Sequence, residues 1–367
     1  MIQLKHTDKK IEEIAEKVIT GNRITKEDGL YLYNNAELGL LSVLADNVRR
    51  RINGTNTYFN KNIHIEPTNI CIYSCDFCSY KRKMNEEGSW ESSKEEILEK
   101  VKQANEKNIT EVHIVGGVHP KWNLEYFGDI ISDIKKINNN IHIKAFTAVE
   151  LEHMIKKSGY SIDQGLKKLK EYGLDSIPGG GAEIFDNEVR EKICDQKTTS
   201  DMWIDMHRRA HKAGIPSNAT MLYGHIENYN NRVNHLNTLR ELQDETSGFN
   251  TFIPLKYKKA NNSMSHLGEV SVIEDLKNYA ISRIFLDNIP HIKAYWPMIG
   301  KNTTQLSLAF GVDDVDGTID DSTKIYSMAG AEDQNPKMTT NQLIEMIQKA
   351  GYKAVERDTI YNIIKEY

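Results

Sequence analysis

The chain has 367 residues, 39% of them hydrophobic and 27% charged, enough apolar matter for a large buried core and too much for a disordered chain. Its 47 Lys and Arg against 52 Asp and Glu leave a net charge of −5, with no basic block to predict nucleic acid as a partner. No apolar run approaches the ~20 residues of a membrane span, and the charged N-terminus MIQLKHTDKKIEEIAEK lacks the apolar core of a signal peptide, so the expectation is a cytoplasmic protein without a membrane partner.

Residues 1–60 read as an N-terminal helical extension: IEEIAEKVITG, TKEDGLYLYNN and ELGLLSVLADNVRRRING carry apolar residues at helical spacing. From residue 61 the pattern changes. Extended runs are expected at 62–68, 111–117, 142–148, 176–181, 217–224, 251–257, 291–297 and 305–311, with amphipathic helices between most of them. Ser93 and Glu96 open one helix as a capping box, and Gly173 and Gly214 close two others. Strands alternating with helices imply parallel pairing with right-handed crossovers. Eight such units predict an α/β fold, a (β/α)8 TIM-type barrel over 61–330, with a doubly wound open sheet as the alternative. Residues 331–367 read as a helix, a short strand and a tail, a C-terminal extension packed on the barrel.

Of the four cysteines, Cys71, Cys75 and Cys78 fall in CIYSCDFC, a C-x3-C-x2-C cluster directly after the first expected strand. In a barrel that loop lies on the catalytic face. Three thiolates on one tight loop can bind three irons of a cubane, whereas full ligation usually takes four. Cys194 lies far along the chain and is not expected to join them, which leaves one iron open to an exogenous ligand. Structural zinc is the competing reading; it prefers four N/S ligands in paired C-x2-C knuckles, and only one such pair is present.

With the aromatic Phe77 before the last cysteine, the cluster resembles the signature of radical S-adenosylmethionine (SAM) enzymes. The resemblance implies a [4Fe–4S] cluster on Cys71, Cys75 and Cys78, with SAM chelated at the open iron. It also implies a reduced flavodoxin- or ferredoxin-type electron donor and release of a 5′-deoxyadenosyl radical. A Gly-Gly-Glu segment of that family meets the methionine amino group; here Gly116-Gly117 is followed by Val118. Pro178-Gly179-Gly180-Gly181-Ala182-Glu183 is not a phosphate loop, since no GK[ST] follows. Three glycines at a barrel mouth suggest a wall pressed against a ligand, and Glu183 is either an acceptor for ribose hydroxyls or a helix N-terminal acid. Glu150 has the same two readings. Phe77, Gly116, Gly117, Thr147, Glu150, Gly180, Glu183, Met221 and Ile253 are the expected cofactor contacts.

Longer stretches, among them HIEPTNIC, SIPGGGAEIF, TMLYGHIE, HIKAYWP and FGVDDVDGT, resemble the menaquinone (futalosine-pathway) and deazaflavin branch, and within it most the aminodeoxyfutalosine synthases. The implied activity is a C–C bond-forming transfer. The 5′-deoxyadenosyl radical adds to the vinyl carbon of 3-[(1-carboxyvinyl)oxy]benzoate; rearrangement and decarboxylation give 6-amino-6-deoxyfutalosine, and SAM is consumed. The dehypoxanthine futalosine cyclases and FO-synthase-like enzymes are the related alternatives; a non-catalytic Fe–S or zinc-binding protein is the alternative of another class. The substrate carries two carboxylates, so donors should face it: Arg82, His119, His225 and Lys256 are the candidates. Glu66 and Asp287 are candidates to assist rearrangement or decarboxylation. Tyr223, Glu227, Asn288, His291, Asp313 and Asp314 also lie near expected strand ends, and it is the density of such residues on one expected face that points to a site.

Overall fold

The computed structural model describes residues 7–318, 324–333 and 336–367. Three helices, Lys9–Thr20, Lys26–Asn35 and Leu38–Asn53, lead in. Asp8 and Thr25 cap the first two through their side chains. Their apolar stripes bury Ile11, Ile14, Leu32, Leu41, Leu44 and Val48, and the third helix packs along the helix Val272–Phe285.

The chain enters the sheet earlier than its sequence predicts. NTYF forms β1 (Asn56–Phe59), and after a break at Asn60 and Lys61 the same run continues as β2 (Asn62–Ile65). The remaining strands are β3 (Glu111–Ile114), β4 (His142–Ala145), β5 (Ser217–Tyr223), β6 (Phe249–Lys256), β7 (His291–Ala294), β8 (Asp314–Val315), β9 (Lys353–Arg357) and β10 (Ile363–Glu366). β2 pairs with β3 and β3 with β4, both parallel. Single bridges from Lys144 to Ser176 and from Ile177 to Ser217 carry the circuit on to β5. Parallel pairs then run β5–β6–β7–β8, and β8 returns to β1. The interrupted first strand therefore closes the ring, its lower half on β8 and its upper half on β3. The result is a TIM-type barrel, not an open sheet. Beyond it, β9 pairs parallel with β1, and β10 lies antiparallel on β9.

Two expectations are corrected. Residues 305–310 are helical, within Lys301–Ser307 and Leu308–Phe310, Gly311 ends the run in a left-handed conformation, and the eighth strand is Asp314–Val315. The buried positions in that stretch are Thr303, Thr304, Ser307 and Leu308, a spacing of three to four that fits a helix and not the twofold period of a strand. The second correction is β1, which begins two residues after Gly54 and was masked by the helical run before it.

The strand β9 is held by a buried ion pair. Arg357 Nη2 lies 2.6 Å from Asp314 Oδ2, and the Tyr361 hydroxyl donates to the same oxygen at 2.6 Å. Both charged side chains are at most 2% exposed. Burial alone would raise the Asp314 carboxyl; the Arg357 guanidinium outweighs it and holds the group below its ordinary range. Removing one member of such a pair leaves a buried charge unpaired. Arg357→Met should therefore destabilise the fold by about 3 kcal/mol, read as a lowered urea midpoint at unchanged slope. An unchanged midpoint would show that β9 is not tied to the barrel in this way.

Candidate active site

Because the barrel strands are parallel, their C-terminal ends all open on one face. The loop that leaves β2 there carries the cysteines, and backbone hydrogen bonds hold it from several sides. Cys71 N donates to Arg82 O at 2.9 Å, Ile72 N to Val118 O at 3.0 Å and Asp76 N to Ile193 O at 2.9 Å. Lys81 Nζ donates to Cys75 O at 2.6 Å. Gly117 N donates to Thr68 O at 2.8 Å. A Cβ at Gly117 would stand 2.3 Å from Ile70 O, and one at Gly116 2.8 Å from Thr68 O. The close approach that this glycine pair permits is thus to the backbone feeding the cysteine loop.

Cys75 is buried, Cys71 and Cys78 are half-buried, and none of the four cysteines is in a disulfide. Burial pushes the Cys71 thiol up and the Cys75 thiol up to about 12. A nearby cation is needed to favour thiolate. Lys197 supplies one: its ammonium pairs with Glu183, lies 5.4 Å from the Phe77 ring and stands near enough to Cys75 and Cys194 to act on their ionisation. Sequence spacing gave no signal for Lys197, which sits in a polar loop. Cys194, buried at the end of the helix Asn187–Cys194, is also brought back beside the cysteine loop, contrary to its distance in sequence.

Among the described residues, no three His, Cys, Asp or Glu side chains converge as ligands of one metal ion. A cubane asks for something different, one thiolate on each of three irons. The soft donor set Cys71, Cys75 and Cys78, on one loop with a buried cation beside it, fits an anionic iron–sulfur cluster.

Beside Cys78 opens a cavity of about 130 Å³, lined by Phe77, Tyr80, Glu183, Leu222, Leu255, Lys256 and Tyr326 among others. Leu222 and Leu255, each next to the C-terminal end of its strand, face it, and the half-buried Ile253 lies on the same face of β6 as Leu255 by alternation. Glu183 borders it with φ of 47°, a left-handed conformation uncommon for a residue with a side chain. Its carboxylate is taken by Lys197. Glu66 also lies at this end. It accepts from Lys324 N at 2.9 Å and Ile325 N at 3.3 Å, so it anchors the helix Lys324–Met328. Burial raises its carboxyl to about 7 against the pull of those amides.

Thr147 and Glu150 form a capping box on the helix Ala148–Lys157. Glu150 accepts from Thr147 N at 2.8 Å, Thr147 Oγ1 at 2.7 Å and Gly116 N at 3.1 Å. Burial outweighs these three donors and raises it to about 7. Gly180 packs on Thr147, with a hypothetical Cβ 2.7 Å from Cγ2, and its carbonyl accepts from Trp203 Nε1 at 3.2 Å.

Other expected contacts are turned elsewhere. Met221 is fully buried on the face of β5 opposite Leu222, toward the helices. Tyr223 donates to Asp275 Oδ1 at 2.9 Å and Lys256 Nζ to Asp275 Oδ2 at 2.8 Å, so both polar groups are spent on the helix Val272–Phe285. Arg82 Nη1 donates to Ser79 O and Lys81 O, bracing its own loop. His119 pairs with Glu91 at 2.6 Å. His225 lies 3.1 Å from Leu222 O and 3.3 Å from Glu227, which accepts from Arg232 at 2.8 Å. Asp287 and Asn288 precede β7, His291 is its first residue, and Asp313 precedes β8. These four lie at the N-terminal end of the barrel, away from the mouth. There Asp287 pairs with Arg23 at 3.0 Å, Asn288 donates to Arg240 O at 2.8 Å, and His291 meets Asp313 at 2.5 Å.

Comparison with known proteins agrees with this geometry. Residues 65–239 match the radical SAM superfamily, and residues 246–366 match the CofH/MqnC C-terminal region. Aminodeoxyfutalosine synthase of Thermus thermophilus is 42% identical over 98% of this chain and 97% of its own. The Streptomyces coelicolor protein of the same name is 41% identical over 97% and 94%. The chain belongs to the radical SAM superfamily. Methylornithine synthase shares the fold, with a TM-score of 0.75 at 17% identity over 92% of this chain and 96% of its own. As a radical SAM enzyme the chain has a family-implied place for a [4Fe–4S] cluster and SAM. No helix among the described residues is long and apolar enough to cross a membrane.

Two predictions follow from the site. Cys78→Ala should lose most of the iron bound after anaerobic reconstitution, whereas Cys194→Ala should keep it; an iron-free Cys194→Ala protein would place a fourth thiolate on the cluster. Glu150, raised above its unfolded value, favours the fold below pH ~4.5 and loses that contribution as pH rises toward 7. The stability advantage of wild type over Glu150→Gln should therefore shrink across that window, by at most about 1.4 kcal/mol per pH unit. A pH-independent difference in denaturation would show that Glu150 does not titrate there.

Proposed function

We propose that the chain is an aminodeoxyfutalosine synthase, a C–C bond-forming transferase of menaquinone biosynthesis that uses 3-[(1-carboxyvinyl)oxy]benzoate and SAM. The observation that carries the reading is the near-full-length similarity to two proteins of that name, combined with three clustered thiols at a barrel mouth. Cys71, Cys75 and Cys78 would hold the [4Fe–4S] cluster. When cluster and SAM are bound and a flavodoxin- or ferredoxin-type donor supplies an electron, they furnish the 5′-deoxyadenosyl radical that adds to the vinyl carbon.

The chain's own part is placement and enclosure. The backbone bonds from Val118, Ile193 and Arg82 fix the cysteine loop. Leu222, Leu255 and Phe77 line an apolar wall beside Cys78, and such a wall keeps water from a reactive centre. Lys197 supplies positive charge next to the cysteines, where a cluster carrying thiolates needs it. Tyr326 and the helix Lys324–Met328 cover the same end of the barrel, held by Glu66.

The test is anaerobic incubation of the reconstituted protein with SAM, dithionite and the enol ether, followed by mass spectrometry. The expected product retains adenine and the aryl carbons in one molecule. Release of 5′-deoxyadenosine with no such adduct would reject the synthase reading in favour of hydrogen abstraction, the chemistry of the related cyclases.

A further inference from the structure

The cavity beside Cys78 is ringed by polar side chains, and almost all of them are already engaged within the protein. Ser79 Oγ donates to Ala260 O at 2.6 Å, and the Tyr80 hydroxyl to Thr68 O at 3.1 Å. The Tyr257 hydroxyl donates to Asn262 Oδ1 at 2.9 Å. Lys256 pairs with Asp275 at 2.8 Å, Lys258 with Glu269 at 2.6 Å, and Glu183 with Lys197. Cys78 apart, one group of the lining differs. Tyr326 is half-buried against the core, and among the described residues its hydroxyl has no hydrogen-bond partner. A tyrosine hydroxyl turned into protein usually finds one. Here it is the polar group of the wall that is left for a ligand.

The ring is held in place although its hydroxyl is unbonded. Tyr326 stands on the short helix Lys324–Met328, which is fastened at both ends. Glu66 accepts from Lys324 N at 2.9 Å and Ile325 N at 3.3 Å. At the other end Asn261 Nδ2 donates to Met328 O at 2.8 Å, and Ala260 N to Ala329 O at 3.3 Å. The Tyr326 ring packs 4.9 Å from the Tyr295 ring. Glu66 after β2, Glu183 on the glycine-rich loop and Asp316 after β8 are all near enough to act on its ionisation. Carboxylates on three sides place the hydroxyl over the middle of the mouth and not at its rim. A side chain already ordered by the fold loses little further freedom when a ligand binds.

Protonation decides what the hydroxyl can do. Burial and the same three carboxylates push the phenol above its ordinary range. It keeps its proton at neutral pH and can donate. The carboxylates have partners of their own: Glu66 takes two amide N–H groups, Glu183 takes Lys197, and Asp316 stands 3.5 Å from Lys293. The aryl enol ether is the matching guest. Its oxygens, in the two carboxylates and the ether, are all acceptors at neutral pH, and it carries no N–H or O–H of its own. Only donors recognise such a molecule by hydrogen bonding. Its ring suits the apolar remainder of the lining, Phe77, Leu222 and Leu255. At ~10–15 Å³ for each water-sized group, a cavity of about 130 Å³ holds roughly ten such groups, the size of a substituted aryl ring.

Resting on the synthase reading for the identity of the substrate, we propose that Tyr326 is a substrate-binding residue whose hydroxyl donates a hydrogen bond to an oxygen of the aryl enol ether. It takes over part of the role foreseen for Arg82, His119, His225 and Lys256, which are committed to other partners.

The test compares wild type with Tyr326→Phe, both full-length and cluster-reconstituted, with SAM present and no reductant, so that binding of the enol ether is read without turnover. The substitution deletes one hydroxyl and no hydrogen bond within the protein, so the urea midpoint should equal that of wild type. Affinity for the enol ether should fall about tenfold, and affinity for SAM should not change. With dithionite added, KM should rise more than kcat falls. Analogues lacking the vinyl carboxylate or the ring carboxylate identify the oxygen. The effect of the substitution vanishes with the analogue that lacks the acceptor, and persists with both if the ether oxygen accepts. Unchanged affinity for the enol ether would overturn the assignment. So would a lowered urea midpoint, which gives the hydroxyl a structural partner, or a loss of affinity confined to SAM. A wild type that forms the adenine-containing adduct while Tyr326→Phe binds the enol ether equally well sinks the role of Tyr326 and keeps the synthase reading. A wild type that binds the enol ether, with the loss in the variant, but forms no adduct fails the synthase reading alone. A wild type that does not bind it sinks both.

Discussion

A barrel that turns charged side chains inward stands only if those charges neutralise one another where water is scarce. Buried ions cost several kcal/mol each unless paired with good geometry. Here the pairs Lys144–Glu111 and Arg357–Asp314 meet that condition at 2.6 Å. The second pair reaches outside the ring, because Arg357 comes from β9, which lies on β1 and not among the eight barrel positions. The C-terminal segment is thereby coupled to the interior through charge as well as through β pairing. It also explains why an eighth strand only two residues long is sufficient: Asp314 is fixed by Arg357 and Tyr361 in addition to its backbone bonds.

The same parallel arrangement separates two kinds of chemistry. At the C-terminal end the cysteines, Phe77 and the apolar wall of Leu222 and Leu255 gather soft donors and hydrocarbon. Deeper in, the axis carries ammonium, imidazole and carboxylate. Backbone contacts fix the cysteine loop at the mouth. Val118 from the loop after β3 and Ile193 from a helix that lies far along the chain both accept its N–H groups through their carbonyls. Glycine at 117 is required for this, since any side chain would strike the Ile70 carbonyl.

Much of this was legible in sequence, and the rest was hidden for identifiable reasons. The cysteine motif is local, and so are the capping box at Ser93 and the alternation of strands with helices; each was readable from spacing alone. Position relative to a strand was not. Asp287, Asn288, His291 and Asp313 were placed at the mouth because they lie near strand ends, but nearness does not say which end. Met221 and Tyr223 failed on parity: the residues between and beside them face the axis. Lys197 and Cys194 come to the cysteine loop through tertiary packing, which no linear spacing encodes. The run 305–311 looked extended because its apolar residues alternate, yet its buried set follows the helical period.

One signal for the axial cluster was present and unread. Strands of a parallel barrel are covered on both faces and are expected to be apolar throughout. NIHI, EVHI and the two HIKA segments of β4 and β7 instead alternate polar and apolar residues. In an antiparallel sheet that alternation would mean one face in water. In a closed barrel the apolar set, Ile63, Val112, Ile143 and Ile292, must meet the helices, so the polar set has nowhere to go but the axis. Four strands with this pattern therefore specify a polar interior before any coordinate is known. Not every buried polar atom of that interior is met: among the described residues Asn62 Oδ1, Glu111 Oε2, His113 Nε2 and Asp316 Oδ2 make no hydrogen bond. Lys293 stands between two of its carboxylates, 3.4 Å from Asp314 and 3.5 Å from Asp316.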